Sequence, residues 1–474
     1  MIRSRVYLSH AAVPACAILM SLASAMQMQA TTRYVDNSGA AKPMCAPSSA
    51  APPYYTDIQA AVVAANAGDQ IFVCPGTYTK QVVITKSLKI SALTNPSPGT
   101  GGNPISYTNL NSQQVLLQPA GTFVAAANLA TGESIEAMML IENVPATSVY
   151  GWWFPILSLF PGFPTFPGYQ ADAVQVTGIT VDGSNATQCG STCEMVGVLI
   201  QNVNGASLAY MAVQNIINFS AASGGDGFGI FVQGCGANAS PVLTGCKTFK
   251  NPSGTQVTIG NSAVNHYSSG GIVANETGTQ ALLTQNSTHG LGESAAIDQV
   301  GIQVGFGAQA QVQNNVSTNH LGPPPHCSLS SSANFTIALS PVQTSVVLQN
   351  NISTMAEIGL ATTSEKASIQ NNVVTDSLCT GIYVDGDYNN ISGNTIFNSV
   401  PQLPNPASAF PYGVFVDAEV ATYGGNRVSG NNINLTEFGV VSYSKTTVES
   451  GDTFSNTQVP LYGTFAHAHP KMFR

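Results

Sequence analysis

A chain of 474 residues, 44% hydrophobic and only 8% charged, can bury a large core, and that pairing of high apolar content with little charge excludes disorder. Its formal charge of −9 leaves few cations to meet a phosphate backbone, which argues against a nucleic-acid partner. By length alone about three domains are expected, but a repeat array escapes that rule because it can run as one domain of any length.

The chain opens on what reads as a secretory signal. Residues 1–30 hold Arg3 and Arg5, an apolar run at 11–23 and the small-x-small site Ala23-Ser24-Ala25, so cleavage is expected near Ala25 or Ala30. The two arginines are the only charges of this segment, which leaves −11 on the mature chain. The apolar run continues past Cys16, which favours release over a lipoprotein anchor. Nothing after residue 30 has the roughly 20 unbroken apolar residues of a membrane span. A secreted or periplasmic protein without a membrane span is expected, its residues 31–474 forming a single domain.

Residues 54–92 give an amphipathic helix at about 56–66, then a strand, a Pro-Gly turn and two more strands. Thr56 or Asp57 can cap the helix and Ala67-Gly68-Asp69 ends it. Further along, YGWWFPILSLFPGFPTFPGY at 150–169 holds both tryptophans and no charge. Its prolines forbid a regular helix or central strand. Trp152 and Trp153 would stack on sugar rings if exposed beside a groove; the plainer alternative is a loop packed back as a small second core.

Eight cysteines remain in the mature chain, an even number that suits disulfides in an exported protein. Sequence order suggests Cys45–Cys74, Cys189–Cys193, Cys235–Cys246 and Cys327–Cys379. Zinc is the competing reading for the 189–193 pair, but no second pair with finger-like spacing follows it.

Short runs of one shape then recur: GVLIQ (197–201), GIFVQ (229–233), GIVAN (271–275), GIQVG (301–305), GLATT (359–363), GIYVD (381–385), GVFVD (413–417) and GVVSY (439–443). Their starts are 22 to 42 residues apart except for one gap of 58, where FTIAL at 335–339 looks like the missing copy. A second run lies between the copies, including VQNNVS (312–317), LQNNIS (348–353), IQNNVV (369–374), ISGNTI (391–396) and VSGNNI (428–433). Asn372, Asn394 and Asn431 occupy one place in it, with Asp452 close to that place in the final copy. A period of about 20–30 residues with alternating strands and no helical signal predicts a β-solenoid. Coils stacked about 4.8 Å apart would let each asparagine amide bond to those above and below. Residues 456–474 close the array as a cap or tail.

With its opening TDIQAAV…AGDQIFVCPGTYTKQVVITKSL and these repeats, the sequence resembles right-handed parallel β-helix proteins of the pectin-lyase-like superfamily over residues 33–456. The resemblance implies an all-β, right-handed parallel β-helix of about 11–13 coils with a short N-terminal capping helix. It does not carry an activity, since that superfamily includes polysaccharide lyases, glycoside hydrolases, esterases, epimerases and proteins with no known reaction. None of the four motifs of polygalacturonase-like hydrolases is present. Lys366, Arg427 and Lys445, the only basic residues in the neighbouring repeats, lie in no lyase motif.

The repeat alignment itself supplies the best site. GIYVD and GVFVD are consecutive copies, so Asp385 and Asp417 share a column, and a period of two sends Tyr383 and Phe415 outward with them. Asp387 and Glu419 lie two residues beyond. Two close carboxylates can share a proton, as an acid/base pair requires, with Asp387 tuning them. Tyr383, Phe415, Trp152 and Trp153 would then hold sugar. No cofactor is expected; Ca2+ on Asp385, Asp387 and Asp417 is the alternative, and solvated acids at a strand end the plainer one. Asp226 in GGDGF is most simply a turn residue, and the scattered histidines make no ligand spacing. The expected partner is a polysaccharide or cell-surface glycan, neutral rather than acidic because an acidic face repels polyuronates. The rival is a non-catalytic structural or adhesive solenoid.

Overall fold

The computed structural model describes residues 30–39, 45, 53–93, 114–121, 123, 125–128, 133–144, 173–187, 189, 193–218, 226–235, 254–293, 299–322, 327, 332–338, 346–398, 412–417 and 424–466. The expected signal segment up to residue 29, the aromatic stretch 150–169 with Trp152 and Trp153, and Cys246, His326 and Glu419 lie outside the described residues.

Each coil lays down three short strands. Thr255–Gly260, Ala263–Tyr267 and Gly270–Asn275 form one coil; Thr279–Thr284, Ser287–His289 and Val300–Gly305 form the next. Equivalent strands pair in parallel and in register, as in Ile259↔Leu283, Val264↔Thr288 and Ile272↔Ile302. The first strands build a 14-stranded sheet, and the second and third belong to one 23-stranded sheet bent between two stacks. Where the bend is continuous one strand serves both: Ile352–Thr362 pairs with Val316–His320 through its first half and with Ala333–Ile337 through its second. The only antiparallel pairing among the described strands joins Ala125–Ala127 to Ser134–Glu142. The result is a right-handed parallel β-helix.

The glycine-first copies all fall in the third stack. The missing copy lies in the gap as expected but starts one residue earlier, at 334: Ile302 pairs with Phe335 and Phe335 with Leu360, so Asn334 stands where the neighbouring copies have Gly301 and Gly359. The glycine is there for space. A Cβ at Gly381 would sit 2.7 Å from Ile396 Cγ2 of the second stack and 2.7 Å from the Gly413 carbonyl of the next coil. Behind each glycine, alternate residues such as Ile382, Val384, Val414 and Val416 are fully buried in the continuous core.

Asparagines line the turn between the first and second stacks. Asn286, Asn315, Asn351, Asn372 and Asn394 each donate backbone N–H to the side-chain oxygen of the asparagine one coil on, as Asn372 does to Asn394 Oδ1 at 2.9 Å. Asp452 ends the ladder by accepting from the Asn431 backbone N–H at 2.6 Å and from its Nδ2 at 2.9 Å. Each such bond matters because a buried amide left unpaired costs about 1–3 kcal/mol.

The N-terminal helix runs Ile58–Ala64, shorter than the sequence suggests at both ends, with Asp57 as its cap accepting from Ala60 N–H at 2.6 Å. It buries Ile58, Ala61 and Val62 against the first coil. Beside it Arg33 meets Asp69 at 2.9 Å in a buried ion pair and donates to Tyr55 Oη at 2.8 Å. Disulfides join Cys45 to Cys74, Cys189 to Cys193 and Cys327 to Cys379, with Cα–Cα separations of 5.6, 5.9 and 5.4 Å. Cys235 is disulfide-bonded as well. The 189–193 pair is therefore a crosslink, which leaves no thiolates there for zinc.

Candidate functional site

Tyr383 pairs with Phe415 and Val384 with Val416, so the ends of these two strands lie on neighbouring coils. Asp385 N–H donates to Thr362 carbonyl at 2.7 Å and Asp417 N–H to Val384 carbonyl at 2.8 Å, which carries the register one residue past the strands. Asp385 and Asp417 thus occupy one column about 4.8 Å apart at the backbone. Both are half-buried on the outer face, while Val384 and Val416 point inward. Tyr383 Oη donates to Asp417 Oδ2 at 3.2 Å, which ties the aromatic column to the acidic one.

The aromatic group is larger than the two rings read from the repeats. Tyr383 and Phe415 have centroids 5.8 Å apart, Phe415 stacks on Tyr412 at 5.1 Å, and Tyr412 meets Phe438 at 5.5 Å. Tyr443 stands edge-on to Phe415 at 5.7 Å and Tyr462 edge-on to Phe438 at 5.5 Å. Six rings therefore form one strip on the third stack over the last coils, with Tyr443 and Tyr462 about half exposed at 52% and 51%. The signal for the other four was in the alignment: Tyr412 precedes GVFVD, Phe438 precedes GVVSY, and Tyr443 ends that copy. Tyr462 pairs with Val441 in the strand after it.

Asp387 belongs elsewhere. Its Oδ1 accepts the backbone N–H of Gly424 on the next coil, so it secures the turn toward the first stack. Among the described residues, the one trio of histidine, cysteine, aspartate or glutamate with ligand atoms within 4.8 Å of one another is Glu136, Cys189 and Cys193. Two of these are crosslinked, and Asp385, Asp387 and Asp417 do not converge as a calcium triad.

Farther up the same outer face the chemistry changes. Leu199, Phe231 and Val273, in the column that later holds Tyr383 and Phe415, form a second buried apolar cluster with Ile135, Ala137, Leu140 and Val196. At its edge sits a carboxylate that the sequence reading passed over. Glu194 lies three residues before GVLIQ as Asp226 lies three before GIFVQ, so the repeat alignment already pairs them. Met195 N–H donates to Asp226 carbonyl at 2.9 Å, in keeping with that register. Glu194 is 6% exposed; Asn128 Nδ2 donates to its Oε1 at 2.7 Å, and its Oε2 has no partner. Burial pushes its carboxyl up to about 7, the Asn128 bond opposes this, and the charges of Asp226 and Glu133 add to it. Asp226 is held by Ser269 Oγ at 2.7 Å.

The histidines are partly gathered. His320 is wholly buried, bonded through Nε2 to Tyr267 Oη and through Nδ1 to Asn334 Oδ1, and burial pushes its imidazole down to about 3. His266 and His289 stand edge-on on adjacent coils, 6.4 Å between centroids.

The model of the family described as periplasmic copper-binding protein (NosD) matches residues 298–459, which include the whole aromatic and acidic strip except Tyr462. Among curated proteins none matches this sequence. In structure the chain is similar to the A-module of a mannuronan C-5 epimerase of Azotobacter vinelandii, with TM-score 0.51 and 13% identity over 86% of this chain and 92% of that one. It is similar also to a GH136 lacto-N-biosidase from Eubacterium ramulus, with TM-score 0.51 and 9% identity over 94% of this chain and 70% of that one. At such identities the likeness shows the parallel β-helix and nothing about the reaction.

Proposed function

We propose that this is a secreted or periplasmic β-helix protein that binds a neutral polysaccharide along the outer face of its third strand stack. The observation that carries the reading is the strip of six rings ending on a Tyr383–Asp417 hydrogen bond. Exposed aromatic faces stack on the apolar faces of sugars, and flanking carboxylates accept from sugar hydroxyls. The disulfides support an oxidising compartment. So does the periplasmic family that matches part of the chain. Two solved neighbours are named for enzymes acting on mannuronan and on lacto-N-biose glycans, which fits a carbohydrate ligand.

Cleavage is the stronger form of the same reading, with Asp385 and Asp417 as the acid/base pair and Trp152 and Trp153 as further sugar contacts. Copper finds no such support. Within the matched span the described soft donors are Cys327 and Cys379, which are crosslinked, His320, whose two nitrogens are both bonded, and Met355 alone on the surface.

The test is affinity electrophoresis of the mature protein in xylan, mixed-linkage β-glucan, galactomannan and starch, with calcium and with chelator, alongside an assay for new reducing ends. Retardation by one of these glycans that falls about tenfold in Tyr383→Ala and Phe415→Ala is expected. Products that vanish in the Asp385→Asn, Asp417→Asn double variant would establish cleavage at this strip. A protein that migrates alike in every gel would overturn the reading.

A further inference from the structure

Between residues 251 and 470 the sequence has only three lysines or arginines, Lys366, Arg427 and Lys445. Folding brings all three to one edge. Lys366, Tyr388 and Gly425 occupy equivalent places on three consecutive coils: Lys366 N–H donates to Asp387 carbonyl at 2.9 Å and Tyr388 N–H to Gly424 carbonyl at 3.0 Å. All three have left-handed backbone, with φ of 60°, 57° and 75°. On the coil after Gly425 comes Lys445, next to Thr446, whose Oγ1 accepts from Gly425 N–H at 2.9 Å. Arg427 stands on the first stack, in register with Asn390.

Tyr388, Gly425 and Arg427 border an open groove of about 400 Å3, lined also by Asn390, Ser392 and Ser429, with Lys366 on the coil before it and Lys445 on the coil after it. Tyr388 is 61% exposed. Its ring lies against Gly425, where a Cβ would come within 2.6 Å of Tyr388 Cε1, so the glycine lets the ring rest on the backbone and present its other side to the groove. The described ion pairs are Arg33–Asp69 and Lys80–Asp57, both far away in sequence, and none of the three cations is engaged in one. The acids near this edge are Glu365, next to Lys366, Asp387, which accepts from Gly424 N–H, and Glu449, which accepts from Asp452 N–H at 3.4 Å; none of them forms an ion pair with the three cations among the described residues. Asn389, which also lines the groove, is buried and leaves its Nδ2 donor unpartnered. A planar guanidinium fork, hydroxyl and amide groups and an aromatic face thus line one groove, with a lysine on the coil to either side, on a protein whose net charge is −9.

We infer that this groove on the first stack is a binding site for a carboxylate-bearing sugar unit of an acidic polysaccharide. Arg427 grips the carboxylate with two parallel N–H donors, which lysine cannot do. Tyr388 stacks on the sugar ring. Lys366 and Lys445, one on each side along the helix axis, draw in the neighbouring acidic units without a fixed geometry. The overall charge that points to a neutral glycan is thereby reversed locally. The site is independent of the aromatic strip: either can fail without the other.

The test is affinity electrophoresis of the full mature chain in gels containing polygalacturonate, alginate, dextran sulfate or neutral dextran. Retardation in polygalacturonate or alginate is expected, with none in neutral dextran. Arg427→Gln and Tyr388→Ala should each weaken it about tenfold, while Arg427→Lys keeps the charge but still loses several-fold, the mark of the lost fork. Since these side chains are exposed, the variants should melt like the parent, and the Tyr383→Ala and Phe415→Ala strip variants should be retarded as the parent is. Migration unchanged by either uronate polymer, retardation by dextran sulfate alone, or retardation that survives Arg427→Gln would each overturn the assignment.

Discussion

At the scale of single residues, the ladder shows why one side chain type had to recur. Asn394 Oδ1 accepts from both the backbone N–H and the Nδ2 of Asn372, while its own Nδ2 donates to Ile369 carbonyl at 3.0 Å and to Asn431 Oδ1 at 2.9 Å. Alanine there removes an acceptor for two buried donors at once and a donor for a buried carbonyl. We expect Asn394→Ala to cost about 3 kcal/mol, measured by urea unfolding. Asn394→Asp keeps the acceptor but buries a carboxyl and sets its second oxygen against the Ile369 carbonyl and Asn431 Oδ1, so it should cost at least as much as alanine. Asp452 shows where aspartate is tolerated, at the end of the ladder with no further coil to donate to. If alanine and aspartate proved equally mild, the ladder would be decoration on a fold held by its apolar core.

At the scale of the element, glycine-first strands carried most of what the sequence revealed. The repeat could be seen because in the glycine-first copies the corner between the second and third stacks leaves no room for a Cβ, whereas Asn334 fills that place in one coil, and because alternate residues of each strand must be apolar. Gly381→Val should therefore force the third stack off Ile396 and the Gly413 carbonyl, at a cost above the roughly 1–3 kcal/mol of ordinary overpacking. A melting temperature unchanged by this substitution would show that the glycine marks the repeat without being required by it. The same alignment placed Asp385, Asp417, Tyr383 and Phe415 on one face, because strand register fixes columns. It could not place Asp387, whose partner is a backbone N–H thirty-seven residues away across a coil of irregular length. Nor could it gather Lys366, Arg427 and Lys445, which come from different turns and stacks and share no repeat position. Loops of unequal length hide such groupings from any reading by period. The disulfides bridge just these irregular parts. Cys327–Cys379 closes a separation of 52 residues, for which chain entropy alone gives about 4 kcal/mol, so Cys379→Ser should lower the urea midpoint by more than any exposed cysteine-to-serine change would.

At the scale of the whole molecule, the buried titratable groups set how stability varies with pH. Burial pushes Glu194 and Glu276 up to about 7 and His320 down to about 3. In the unfolded chain the glutamates release their protons near 4.5 and the histidine near 6.5. The stability each glutamate contributes is thus complete below about pH 4.5 and is lost as pH rises through about 7. The histidine works the other way, complete above about pH 6.5 and lost as pH falls toward 3. Between about pH 4.5 and 6.5 these two glutamates, joined by Asp452 and Glu136, both also raised by burial, oppose His320 and His289, the latter lowered by burial and by His266 beside it. The balance is at least one proton, so stability should fall by about 1.4 kcal/mol for each unit of rising pH in this window. The lowered carboxyls of Asp57, Asp69 and Asp182 do not alter it, because their contribution is lost only below their unfolded value of 3.8. Urea midpoints should therefore be highest near pH 4.5 and decline toward neutrality. Glu194→Gln should flatten that decline, whereas His320→Asn should steepen it by removing an opposing group. Because coils contact only their neighbours, both effects should appear first as loosening of the coils around residues 194 and 320, seen as earlier hydrogen exchange there than at the asparagine ladder of residues 372–431. A midpoint that rose from pH 4.5 to 7 would mean that these carboxyls are ionised in the folded protein, and that the outer face near Glu194 is open to water rather than sealed by its apolar cluster.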